Sequence, residues 1–219
     1  MAKVKICGLG SVDGVAAALH AGADYLGFVF APQSPRLVTP DAAAVLAAPA
    51  RGRARTVAVL VNPGDKLLDR VVERLRPDFL QLHGKESPER VRSIWKRFHI
   101  PLIKAVGIAG PRDLESAERY ARTAALYLLD AKAPKGAARE GGLGAAFDWS
   151  ILHGAALSKP WFLAGGLTPE NVAHAIAQTG ARMVDVSSGV ESAPGVKDAA
   201  RIAAFIAAAK TEGAGAEQD

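Results

Sequence analysis

Among the side chains that can move a proton or hold an anion, four stand at the end of an apolar run or in the loop just beyond one: Cys7, His83, Asp130 and Arg36. Cys7 is the only cysteine among 219 residues. It ends an alternating run in which Lys3, Lys5 and Cys7 share one face while Val4 and Ile6 share the other, and Gly8 stops the run. A thiol at the tip of a first strand can act as a base where cations favour the thiolate, and is otherwise a small buried hydrophobe. Asp130 follows the apolar run 125–129 and suits a general acid, with a turn or helix cap as its alternative. His83 closes the run 79–83 and reads equally as a structural histidine. Arg36 follows Ser34-Pro35 in a loop, where a solvated arginine is the plain alternative.

The elements that must position these groups follow a regular alternation. Strands are expected over 4–8, 25–30, 56–61, 79–83, 101–106, 125–129, 160–164 and 183–186, each a short apolar run of the kind a sheet covered on both faces requires. Helices are expected from Ser11 to Ala21-Gly22, over 41–48 after Thr39-Pro40, and over 65–75, 87–98, 111–122 and 197–210. Shorter helical stretches are expected after Phe147-Asp148-Trp149 and from Thr168-Pro169-Glu170. Eight βα units predict an α/β protein, a single-domain (β/α)8 TIM barrel over 1–210, with 211–219 a disordered tail that lacks an apolar anchor. A doubly wound open sheet fits less well, because Gly8-Leu9-Gly10 lacks the third glycine of a dinucleotide fingerprint.

A barrel concentrates function where strands end and βα loops begin. Cys7, Arg36, His83, Asp130, Gly165-Gly166 and Ser187-Ser188-Gly189 all gather at those ends, whereas Ala, Gly and Pro dominate the opposite side. Glycine pairs after strands seven and eight lie where barrels commonly bind phosphate. Strand six lies three steps from strand one through eight and seven. The thiol and the Asp130 carboxyl are therefore expected on opposite sides of the mouth with the phosphate loops between them, a layout for acid–base work on a phosphosugar. Lys5 points inward beside Cys7, and Asp185 on strand eight is its expected partner, since an unpaired buried ammonium is costly.

Composition narrows the partners. Hydrophobic residues make up 49% and charged residues 22%, as in a soluble globular protein, and no apolar run is long enough for a membrane helix. The chain enters a strand at once, which leaves no room for a secretory signal, and a lone cysteine suits a reducing cytoplasm. The net charge of +5 favours an anionic ligand. Nucleic acid is disfavoured: Arg51, Arg53 and Arg55 sit in a connector, and the 6% aromatic content shows no stacking platform beside them.

The motifs resemble the phosphoribosylanthranilate isomerase family. The matching segments are Lys5-Ile6-Cys7-Gly8, Gly27-Phe28-Val29-Phe30 with Ser34-Pro35-Arg36, Gln81-Leu82-His83-Gly84, Leu129-Asp130-Ala131, Gly141-Gly142-Leu143-Gly144 with Phe147-Asp148-Trp149, Ala164-Gly165-Gly166-Leu167 with Pro169-Glu170-Asn171-Val172, and the run from Val184 to Glu191. The resemblance implies a cytoplasmic tryptophan-biosynthesis enzyme, monomer or homodimer, acting on a small phosphosugar without cofactor or metal. The implied reaction is an Amadori rearrangement of N-(5-phosphoribosyl)anthranilate, with Cys7 as base and Asp130 as acid. Arg36 and His83 are then expected at the anthranilate end, and Gly142, Gly165, Gly166, Asp185, Ser187, Ser188 and Gly189 among the substrate-binding residues. Leu143 departs from the pattern, which expects a hydroxyl residue there, in a loop over 131–146 that is a candidate lid. The rivals are a histidine-pathway or bifunctional isomerase, disfavoured because strand five ends in Ala105-Val106-Gly107 and not in an aspartate, and a non-catalytic phosphosugar-binding barrel.

Overall fold

The computed structural model describes residues 1–131 and 148–211. Short runs rich in Val, Leu and Ile form eight parallel strands: β1 Lys3–Cys7, β2 Tyr25–Val29, β3 Arg55–Leu60, β4 Phe79–Leu82, β5 Leu102–Ile108, β6 Leu126–Ala131, β7 Trp161–Leu163 and β8 Met183–Val186. They pair in chain order and close into a barrel where β1 meets β8. Alternate residues serve two cores. Val4, Ile6, Leu26, Phe28, Ala58 and Leu60 face the helical layer. Tyr25, Val57, Val59, Ile103, Leu128, Phe162 and Met183 fill the barrel, so its lower interior is packed with side chains.

The helices are α1 Val12–His20, α2 Pro40–Ala47, α3 Asp65–Leu75, α4 Pro88–Phe98, α5 Arg112–Glu118, α6 Val172–Thr179 and α7 Ala199–Thr211. Three expected caps form: Ser11, Thr39 and Ser87 accept the N–H groups of Gly14, Ala42 and Arg90 at 3.1, 3.1 and 3.3 Å. No described helix is long and apolar enough to cross a membrane.

Three local expectations differ from the structure. α6 begins at Val172 and not at Thr168-Pro169-Glu170, because Asn171 folds back to accept the Thr168 N–H at 2.8 Å and to donate to the Gly166 carbonyl at 2.9 Å. α5 ends at Glu118 rather than 122, and Tyr120 beyond it turns its hydroxyl to the Glu86 carbonyl at 2.8 Å. β6 is followed, among the described residues, only by a 3-10 turn, Trp149–Leu152, capped by Asp148. An unexpected hairpin, β9 Glu191–Ala193 with β10 Val196–Lys197, follows a 3-10 turn at Ser188–Val190. The expected tail beyond Thr211, and the loop residues 132–147 with Gly142 and Leu143, lie outside the described residues.

Candidate active site

Cys7 ends β1, and its thiol rests against the backbone of Gly27 on β2. A Cβ at that glycine would sit 3.0 Å from Sγ and 3.3 Å from Lys5 Cε, so only glycine leaves room for the two side chains together. Lys5, one layer below, is fully buried and donates to Asp185 Oδ1 at 2.8 Å across the seam that closes the barrel, as expected. Burial pushes the Cys7 thiol above its ordinary value; the Lys5 and Lys197 ammoniums pull it down and Asp185 pushes it further up. Burial disfavours the Lys5 ammonium, yet Asp185 and Cys7 outweigh it and hold the ammonium above its usual range. Asp185 thus serves Lys5 in this state, one side-chain layer beneath the mouth.

Arg36 is not the solvated loop arginine of the plain reading. It is buried, and its guanidinium grips Glu191 with two parallel bonds, Nε to Oε1 at 2.6 Å and Nη2 to Oε2 at 2.7 Å. Gly8 makes this possible: its φ of +76° is open to glycine, and a Cβ there would strike the Arg36 side chain. Lys197 completes the cluster, donating to Glu191 Oε1 at 2.7 Å and to the Ser187 carbonyl at 2.9 Å. Burial alone would raise the Glu191 carboxyl, but Arg36 and Lys197 bring it below the ordinary carboxylate value. Burial depresses Lys197, against the pull of Glu191. The Ser187 hydroxyl donates to the Cys7 carbonyl at 3.1 Å, tying the end of β8 to that of β1.

His83 and Asp130 meet. His83 Nε2 lies 3.2 Å from Asp130 Oδ2, and Asp130 Oδ1 accepts the Ala131 N–H at 2.8 Å. The contact spans β5, which lies between their strands; its inward residues at this height, Ala105 and Gly107, are small enough to let the two side chains reach over it. Below, Gln81 Nε2 sits 2.9 Å from His83 Nδ1. Gly165 and Gly166, both at positive φ, follow β7, and Gly189 packs so closely on the Leu167 carbonyl that no Cβ fits. The loops after β7 and β8 therefore touch, with Ser188 opening the 3-10 turn between them.

Gln81 and Glu191 stand in the matching segments with no role expected of them. No signal marks Lys197 or the buried pair Lys104–Glu86 at 2.9 Å, which braces the loop around His83 through the Leu82 and Gly84 carbonyls. A signal for the hairpin existed: Ser192-Ala193-Pro194-Gly195 is turn chemistry between two short polar–apolar runs.

Comparisons with known proteins place the chain in a family. The family model described as N-(5'phosphoribosyl)anthranilate (PRA) isomerase matches residues 4–208. An N-(5'-phosphoribosyl)anthranilate isomerase of Paracoccus denitrificans is 55% identical over 206 residues, 94% of this chain and 96% of that protein. One of Paramagnetospirillum magneticum is 52% identical over 208 residues, 95% of this chain and 97% of the relative. The crystal structure of the Thermotoga maritima phosphoribosyl anthranilate isomerase superposes with a TM-score of 0.85 at 38% identity, covering 96% of this chain and all of the other. Another, in complex with reduced 1-(o-carboxyphenylamino)-1-deoxyribulose 5-phosphate, gives 0.80 at 35% identity over 96% of this chain and 100% of its own. By fold, by the order of its motifs and by similarity along nearly its whole length, the chain belongs to the N-(5'-phosphoribosyl)anthranilate isomerase family.

Proposed function

We propose that the mouth of this barrel performs the family's isomerisation, from N-(5'-phosphoribosyl)anthranilate to 1-(2-carboxyphenylamino)-1-deoxyribulose 5-phosphate, with Cys7 as general base and Asp130 as general acid. Asp130 gives a proton to the furanose ring oxygen. The C1′–O electron pair leaves with that oxygen, and the anthranilate nitrogen supplies the pair that makes the C1′=N bond. Cys7 then takes the proton from C2′, and the resulting enolamine tautomerises to the ketone. The rearrangement is redox-neutral within the substrate, so this route calls on no cofactor or metal.

The observation that carries the reading is the placement of the chain's one thiol above a buried ammonium at the barrel mouth. The Lys5 cation held there by Asp185 pulls the thiol toward thiolate, against the push of burial. The phosphate is assigned to the touching loops of Gly165, Gly166, Ser188 and Gly189. The anthranilate carboxylate is assigned to Arg36, whose Nη1 is not engaged by Glu191. A reducing, cytoplasmic setting suits the free thiol.

The test is turnover, followed as loss of anthranilate fluorescence in freshly made substrate. Cys7→Ser and Asp130→Asn are each expected to lower kcat by about 10²–10⁴-fold, the range for one positioned proton-transfer group, with KM changed far less. Near wild-type kcat in either variant would overturn that residue's assignment.

A further inference from the structure

Gln81 is fully buried inside the barrel, flanked in register by the apolar Val59 on β3 and Ile103 on β5. Its Nε2 meets His83 Nδ1 at 2.9 Å, while its Oε1 has no hydrogen-bond partner among the described residues. An unpaired buried carbonyl carries its desolvation penalty uncompensated, and an aliphatic residue of similar size would remove it. Packing therefore does not account for an amide at this position. Among the described residues its side chain has one hydrogen-bond partner, His83, which in turn meets Asp130.

We propose that Gln81 is a positioning residue that selects the His83 tautomer, and through it whether Asp130 holds a transferable proton. This rests on Asp130 being the acid. With the amide N–H donating to Nδ1, the neutral imidazole carries its proton on Nε2 and donates it to Asp130 Oδ2. Since Oδ1 already accepts the Ala131 N–H, both oxygens are acceptors, which favours the carboxylate over the acid. A half-turn of the carboxamide exchanges two ends of nearly equal size. It places Oε1 where it accepts from Nδ1–H and leaves the Nε2 lone pair facing Asp130, which can then bind as a carboxylic acid donating to that lone pair. The second arrangement favours the acid, which holds a proton to give: the Asp130 O–H bond breaks, the proton bonds to the ring oxygen, and the carboxylate stays behind. A proton from solvent, entering by the partly exposed His83 edge, restores the acid and balances the one the C2′ hydroxyl releases as the enol becomes a ketone.

The test combines imidazole nitrogen NMR with steady-state kinetics on the wild type, Gln81→Leu, Gln81→Met and Gln81→Glu. In the ligand-free wild type, His83 is expected as the Nε2–H tautomer alone. Turnover requires the amide to turn to the second arrangement, and Leu and Met offer the His83 Nδ1–H no acceptor. In those variants the free protein is expected to show a mixture of tautomers, with kcat reduced about tenfold or more, KM changed less than about threefold and Tm no lower than wild type. Gln81→Glu, whose carboxylate accepts Nδ1–H, is expected to recover kcat relative to Gln81→Leu. A single unchanged tautomer in both aliphatic variants, or wild-type kcat with a lowered Tm, would overturn the proposal in favour of a packing role. Failure of the underlying acid assignment reads differently: Asp130→Asn would then stay active, whatever the His83 tautomer.

Discussion

At the residue scale the main tension is in Cys7. A base must be ionised, yet burial pushes this thiol above its ordinary value of 9.0, and Lys5 and Lys197 only partly oppose that push. The ligand-free enzyme therefore holds mostly thiol at neutral pH. Because the chain has one cysteine, thiolate absorbance in the ultraviolet, referenced to the Cys7→Ser protein, reports this group alone. The expected titration midpoint lies above 9.0 in the wild type. It is expected to move further up in Lys5→Met/Asp185→Leu, which removes the nearest cation together with its counter-charge, since Lys5 acts on the thiol more strongly than Asp185 does. A midpoint at or below the ordinary value in the wild type would contradict the burial argument.

At the element scale the β9–β10 hairpin carries more than its length suggests. Its two ends supply Glu191 and Lys197, and these hold Arg36 and the Ser187 carbonyl at the rim. The Glu191 carboxyl is held below its ordinary 4.5, so its stabilising contribution is complete above that pH and fades as pH falls through the lower, folded-state value. Glu191→Gln leaves two buried cations without their anion and is expected to cost roughly 3 kcal/mol at neutral pH. Urea midpoints measured from neutral pH down through 4.5 and below are expected to show that gap narrowing toward the acid end. A gap that stays constant would show that Glu191 acts only by filling space. Arg36, released from its clamp, is expected to raise KM for the substrate.

At the scale of the whole molecule the barrel closes on a charged seam. β1 meets β8 with Lys5 directly opposite Asp185, so the first and last strands are joined by a buried ion pair as well as by the ladder. Removing one member leaves an uncompensated charge: Lys5→Met is expected to lower unfolding stability by about 3–5 kcal/mol, and Lys5→Met/Asp185→Leu to recover most of it. Urea unfolding of the two variants checks this. Equal losses in both would mean that the pair itself, and not the orphaned carboxylate, holds the seam. Since Lys5 also lies beside Cys7, the double variant is expected to be stable but slow.

Architecture and the chemistry-bearing ends of the strands are legible in the residues alone. Short apolar runs at regular spacing specify a covered parallel sheet because each side chain's face follows from its parity along the strand. Parity likewise put Lys5 beneath Cys7, and the known closure of a barrel put Asp185 opposite. Tertiary structure alone decided who holds whom across non-adjacent strands and loops. Arg36 is clamped by Glu191, 155 residues away, because a glycine at position 8 lets the chain approach and a hairpin swings the carboxylate in. His83 reaches Asp130 because β5 presents Ala105 and Gly107 between them. Gln81 reads in sequence as one more residue in a β-run, and only its place between Val59 and Ile103 reveals an amide fully buried inside the barrel. Periodicity encodes which face a residue takes; distances between faces depend on the size of every side chain in between, and that sum exists only in the folded molecule.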